Sequence, residues 1–481
     1  MLRWDSRLQF RYGFYAVYAV VTLLIALGVS QLPAGVRTTT LVMVLFGDPG
    51  FLGFYFVGAL VLFEKNEGVL DALVTTPLSA RDYLLSKTLS LSVIAVSGAA
   101  VITLAVHGVD FNPVWFLLGL GLTVGFFVLV GFVAVARFDS LNAYFLTAIV
   151  YTVPLAIPLL DHFDIVSHPL FYLFPTQASL VLIGAAFEPT PLWEVAYGVG
   201  YLLVSTVIAF VVARQAFVTH IVRGTKRAST DHQRAGVLSH RDLGPVASLA
   251  VADLRNWLRD PLLIYIGLSP FLIGLLVRYG FEPLNAAVDF VDLAAYTPEL
   301  VAALMFTPAG TLGFAAGFFM LEDREQGVLQ ALRATPLTGR GYLAYRGVVF
   351  LGLAVASTLV MVPLVDLAVF PPIPFVLISV VAALHTAIAG LLMASLAANT
   401  VEGVAVSKLL GILIIGPVAA IALVDGPLQF VASVFPPFWA SKATVAILDG
   451  TGGVYPLLAI GAGYQILLIG GLLRLFASRA D

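Results

Sequence analysis

The chain has 481 residues, 60% of them hydrophobic and only 11% charged, with a mean hydropathy of +0.99. An ordinary soluble domain is about 25% charged, so this chain cannot build a water-facing surface over most of its length and lipid must be its main solvent. The net charge of −3 decides little, but the lack of cysteine excludes disulfides, zinc-thiolate sites and thiol catalysis.

A spanning helix needs roughly 20 mostly apolar residues. In the first half such stretches fall near 14–32, 44–63, 84–106, 114–136, 141–160 and 193–213. In the second they fall near 262–280, 300–321, 343–365, 374–397, 404–424 and 454–476. The expectation is an all-α polytopic membrane protein of about 12 transmembrane helices. Arg3, Arg7 and Arg11 before the first stretch imitate a signal peptide. The same layout recurs mid-chain at Asp253, Arg255 and Arg259, so the first stretch reads as a retained helix.

The chain is a tandem duplication. Segments 64–87 and 323–346 share eleven of 24 positions at a constant offset of 259. Pro49 and Pro308 keep the offset, as do Gly131 and Gly390. The expected organisation is a first six-span unit at 1–220, a basic linker at 221–245 and a second six-span unit at 246–481. Six is even, so the two units are parallel repeats. The linker holds His232 and His240, with His220 just before it, but no metal-ligand spacing; it reads as a solvated basic segment.

Lys and Arg set the orientation. With the N-terminus inside, only Arg37, Arg278 and Lys442 fall outside, while the outside loops carry Asp161, Asp164, Glu188, Glu282, Asp289 and Asp449. Both termini are therefore expected in the cytoplasm.

The connector between spans two and three is the segment the repeat preserves best. Glu67-Gly68 and Gln326-Gly327 end the preceding span. Leu70 and Leu73, like Leu329 and Leu332, follow at i, i+3 spacing on one helix face. Thr76-Pro77 and Thr335-Pro336 then stop the short helix, since proline clashes with the preceding turn. Ser79 and Asp82 form a capping box for span three. The pattern predicts a short amphipathic helix lying across the cytoplasmic face, twice. Glu64, Lys65, Glu67, Asp323, Arg324 and Glu325 are expected to rim its contact surface.

Gly-x-Leu-x-x-Leu-x-x-Thr-Pro-Leu after a charged cluster resembles the ABC-2 family of ABC transporter permeases. The resemblance covers each half nearly end to end and implies that these segments are coupling helices that fit a cleft on a separate ATPase. It also implies a basic amphipathic helix before span one of each half, at 3–13 and 253–260. It implies re-entrant helices at 170–187 and 431–448, around Phe174-Pro175 and Phe435-Pro436. Both six-span units are fused here, in the manner of a joined pair of fluoroquinolone-export permeases.

The implied partners are two cytosolic ABC ATPase subunits, the lipid bilayer and a small hydrophobic or amphipathic substrate, with no nucleic acid. The implied location is the plasma membrane. No Gly-x-x-x-x-Gly-Lys-Ser/Thr loop occurs, so no cofactor is expected on this chain and ATP with Mg belongs on the partner. An ion-coupled secondary carrier and a non-transporting scaffold are the alternatives. A carrier calls for a buried mid-span carboxylate. Asp48 comes nearest to that, and the span at 44–63 places it near the outer end, as a gate residue or cap; its counterpart is Thr307.

Overall fold

The computed structural model describes residues 14–32, 34–74, 76, 79–138, 141–163, 165–222, 261–287, 292–325, 327–328, 339–397, 399–424 and 426–480. The expected helices at 3–13 and 253–260 lie outside these residues, as does the linker beyond Val222. The described residues form helices and turns only. The chain divides into two compact units, Met1–Gly236 and Val237–Asp481.

The first unit contains α1 (Phe14–Ser30), α2 (Ala34–Asn66), α3 (Val69–Val74), α4 (Ala80–Val106), α5 (Pro113–Val135), α6 (Leu141–Ala156), α7 (Leu159–His162), α8 (Pro175–Gly184) and α9 (Leu192–Ala216), which runs into a π turn at Phe217–Val222. The second contains α10 (Pro261–Ala287), α11 (Thr297–Met305), α12 (Thr307–Glu325), α13 (Gly339–Val365), α14 (Pro372–Leu396), α15 (Thr400–Leu423), α16 (Pro437–Leu448) and α17 (Val454–Ala480).

Nine stretches of the described residues are long and apolar enough to cross a membrane. Two expected spans are shorter, since α1 has 17 residues and α6 has 16, while α15, with 24, covers its expected span almost whole. Both fifth-span helices carry an internal proline, Pro154 in α6 and Pro417 in α15, which removes a backbone donor from the ladder.

Span two departs most from expectation. In the first unit it is one 33-residue helix that starts at Ala34, ten residues before the expected 44. Arg37 and Thr38–Thr40 lower the local hydropathy there, which hid the first three turns. Arg37 donates to the Leu32 carbonyl at 2.9 and 3.1 Å. In the second unit the same span breaks at Phe306, between α11 and α12. The break comes just before Pro308, the counterpart of Pro49, which sits inside the unbroken α2.

The most extensive packing in each unit joins the second and fourth spans, α2 to α5 and α12 to α14. Small residues permit the approach. A Cβ on Gly131 would stand 2.6 Å from the Phe54 carbonyl oxygen. The Tyr144 hydroxyl donates to that same carbonyl at 2.8 Å.

Candidate functional site

The connector of the first unit is built from local chemistry. The Glu67 amide donates to Phe63 O and the Gly68 amide to Lys65 O, closing the end of α2. Gly68 has φ of +68°, a left-handed conformation that glycine adopts at little cost. Gly327 has φ of +70° at the matching place. α3 starts at once after Gly68, with the Ala72 amide donating to Gly68 O. It ends by Thr76, whose hydroxyl donates to Leu73 O at 2.7 Å. Leu70 is buried at 2% exposure, Leu73 is half-buried, and Val69, Glu67 and Thr76 are exposed. α3 packs on α2 and on the π turn after α9, so Leu70 sits beneath the bundle. Pro77, Gln326, Leu329, Leu332, Thr335 and Pro336 lie outside the described residues. The capping box is present: Ser79 Oγ accepts from the Asp82 amide at 3.2 Å, and Asp82 Oδ2 accepts from the Ser79 amide at 3.3 Å.

The acidic residue that opens each connector is not a rim residue. Glu64 is 4% exposed. Its carboxylate accepts from the Tyr83 hydroxyl at 2.6 Å and pairs with the Lys87 ammonium. Lys87 is 2% exposed, and its ammonium lies 5.5 Å from the centre of the Tyr83 ring. The second unit repeats the arrangement at the same offset. Asp323 accepts from the Tyr342 hydroxyl and from Arg346 at 3.0 Å, and Arg346 stacks 5.4 Å from the Tyr342 ring centre.

The neighbouring bases are engaged too. Lys65 donates to Phe138 O at 2.9 Å, beyond the end of α5. Arg324 donates to Ala397 O at 3.2 Å and to Ala394 O, at the end of α14. A cation at a helix C-terminus is favourable. Glu325 accepts from the Thr400 amide at 2.6 Å, at the start of α15. Rim positions were the expectation for Glu64, Lys65, Asp323, Arg324 and Glu325; instead they tie the end of span two to spans three, four and five. Glu64 is the buried one of the five and Glu325 is exposed; a buried charge must be paired to be tolerated, and Tyr83 and Lys87 supply the partners of Glu64.

Tyr83, Lys87, Tyr342 and Arg346 are missed by the motif reading, although the sequence holds the signal. Each pair is an i, i+4 tyrosine and base on the helix after the connector, repeated at offset 259. The joint fastens α2 to α4, and α12 to α13.

The Phe-Pro segments each lie between two short helices. Pro175 opens α8 after a 3₁₀ turn at Pro169–Leu173. Phe435 and Pro436 separate a 3₁₀ turn at Gly426–Val434 from α16. The Tyr201 hydroxyl donates to Leu173 O at 2.6 Å, and the Tyr464 hydroxyl to Val434 O at 2.6 Å.

Asp48 stands 14 residues into α2 and 18 from its end. Asp48 neighbours the Tyr18 hydroxyl of α1. No group of three or more metal-ligating side chains occurs among the described residues.

Two family profiles tile the chain. Residues 1–225 match the fluoroquinolones export permease protein family, and residues 253–473 match the fluoroquinolones export permease protein Rv2686c-like family. Fluoroquinolones export permease protein Rv2687c of Mycobacterium tuberculosis (strain ATCC 25618 / H37Rv) is 35% identical over 241 residues, 49% of this chain and 97% of that protein. Fluoroquinolones export permease protein Rv2686c of the same strain is 30% identical over 247 residues, 49% of this chain and 96% of that protein. The chain belongs to the fluoroquinolone export permease family. It is a multi-pass membrane permease subunit of an exporter, of the ABC-2 type, and not itself an enzyme. No solved structure matches the permease.

Proposed function

We propose that the permease is driven by two separate cytosolic ABC ATPase subunits, each seated on one connector. The observation that carries this reading is the twin connector with a buried acid–tyrosine–base joint at its root, kept at one offset in both halves. ATP and Mg bind the partners. Both termini and both connectors face the cytoplasm, in the plasma membrane, in keeping with the Lys and Arg bias. ATP-driven closure of the ATPases pushes the connectors, and the joints pass the push to spans two and three of each half. The halves then alternate between inward and outward access, with ATP biasing the two states differently. The cargo is a hydrophobic or amphipathic molecule, and the relatives' names point to fluoroquinolone drugs.

The test is a permease with Leu73→Asp and Leu332→Asp together. Interface anchors commonly cost about 2 kcal/mol or more when removed. The variant is expected to insert normally, to lose co-purification with its ATPase and to lose ATP-driven efflux. Normal efflux by the double variant would overturn the reading.

A further inference from the structure

The second unit is hollow beside its joint. A cavity of about 580 Å³ lies between α12, α13, α14 and α17, at the end of the spans that bears Gly327. That volume suits a drug-sized molecule, and a mostly apolar wall with a few polar groups is the usual construction of such a site. The wall is apolar except for Thr386, Arg346 and Arg474. The Thr386 hydroxyl is buried and finds no hydrogen-bond partner among the described residues. Arg474 is exposed at the rim, and no acidic side chain among the described residues pairs with it. Arg346 is the base of the joint, already held by Asp323.

The repeat shows how the hollow arises. At offset 259, Ala316, Ala344, Gly347 and Leu391 stand where the first half has Val57, Leu85, Thr88 and Phe132. These four changes remove side-chain volume from the wall, as do Thr386 for Phe127 and Ala387 for Val128, while Met320, Phe350 and Leu351 add some back where the first half has Val61, Leu91 and Ser92. Phe132 is fully buried in the first unit, stacked at 6.1 Å on Phe217 and edge-on at 6.1 Å to Tyr83. The final helices align at offset 263, as Tyr201 and Tyr464 and their carbonyl partners show. Arg474 therefore stands where the first half has Val211. One half has lost bulk and gained a cation at the same place.

We infer that this cavity binds a drug-sized amphiphile carrying a carboxylate, its apolar body between α13 and α17 and its carboxylate on Arg474. The inference rests on the export reading for the kind of molecule, and it places the site in the second half alone. A bound molecule touches Arg346, so occupancy reaches the second joint directly.

The experiment uses the full-length permease in discs of zwitterionic lipid, without ATPase. The probes are a fluorescent fluoroquinolone acid and its methyl ester. Arg474→Val is expected to weaken binding of the acid about tenfold, the effect of losing a charged hydrogen bond, and to leave the ester unchanged. Gly347→Phe is expected to weaken both at least as much. A Cβ on Gly347 meets nothing within 4 Å, so the added ring enters the cavity without a backbone clash. Unchanged acid affinity in both variants would overturn the inference. So would loss of wild-type binding when anionic phospholipid is added to the discs, because the occupant would then be lipid. Binding that behaves as expected while no ATPase drives efflux would sink the export reading and leave the site standing.

Discussion

Below the first connector, Glu64 and Lys87 are sealed at 4% and 2% exposure, with the rings of Tyr83, Phe132 and Phe217 against one another beside them. Below the second, the Asp323 side chain is 17% exposed, and Arg346 borders a cavity of about 580 Å³. The joint is the same in both places: an acid at the end of span two, with a tyrosine and a base one turn apart on span three. Its surroundings are not. The duplication has kept the polar geometry and let the packing diverge, which separates what both halves hold in common from what one half has alone.

The largest expected effect breaks the tighter joint. Glu64→Leu leaves the Lys87 ammonium buried and unpaired, and removing one partner of a buried pair costs about 3–5 kcal/mol. Asp323→Leu leaves a guanidinium that still stacks on Phe319 and Tyr342, at a cost of about 1.5–3 kcal/mol. Thermal unfolding in detergent is expected to rank them in that order. The Glu64→Leu, Lys87→Leu pair is expected to recover most of the stability, since a buried ion pair can give way to apolar residues at little cost. Its efflux is expected to stay impaired if the joint transmits force; full efflux would make the joint a packing device only.

The next effect compares two glycines. A Cβ at Gly131 would lie 2.6 Å from the backbone oxygen of Phe54, whereas one at Gly390 first meets the Ala316 Cβ at 3.2 Å. Overpacking costs about 1–3 kcal/mol, so Gly131→Ala is expected near the top of that range and Gly390→Ala near the bottom. Equal melting shifts would mean that the two span-two to span-four contacts are equally tight.

The difference between these regions also marks what the sequence could reveal. Helical class, the twofold repeat and the connector follow from hydropathy, the offset and the Gly, Leu and Pro positions, because each is a local or periodic signal. The reach of α2 back to Ala34 does not, because Arg37 and three threonines read as loop although the Arg37 side chain turns back to Leu32 O. Glu64 and Asp323 read as surface charges, because a buried carboxylate is betrayed only by partners 19 and 23 residues away. The cavity arises from several changes of side-chain volume spread over three helices, and none of them is a motif.

The smallest effect is expected to be the same in both halves. Tyr201 and Tyr464 sit on the last span of their units, and each hydroxyl donates at 2.6 Å to the carbonyl just before the Phe-Pro step. That carbonyl ends a 3₁₀ turn, where backbone acceptors lack regular helical partners. The bond therefore ties the chain just before the short helix to the last span. A net hydrogen bond is worth about 0.5–1.5 kcal/mol. Tyr201→Phe and Tyr464→Phe each keep the ring and lose only the donor, so each is expected to lower stability by about that amount. Both tyrosines are half-buried and their bonds are exposed, so water or a lipid headgroup can replace part of the bond and the lower end of the range applies. Hydrogen exchange at the backbone of 172–178 and 433–439 is the sharper measurement. Faster exchange confined to the mutated half would show that each tyrosine holds its own Phe-Pro segment. No change in either half would show that packing alone holds these segments.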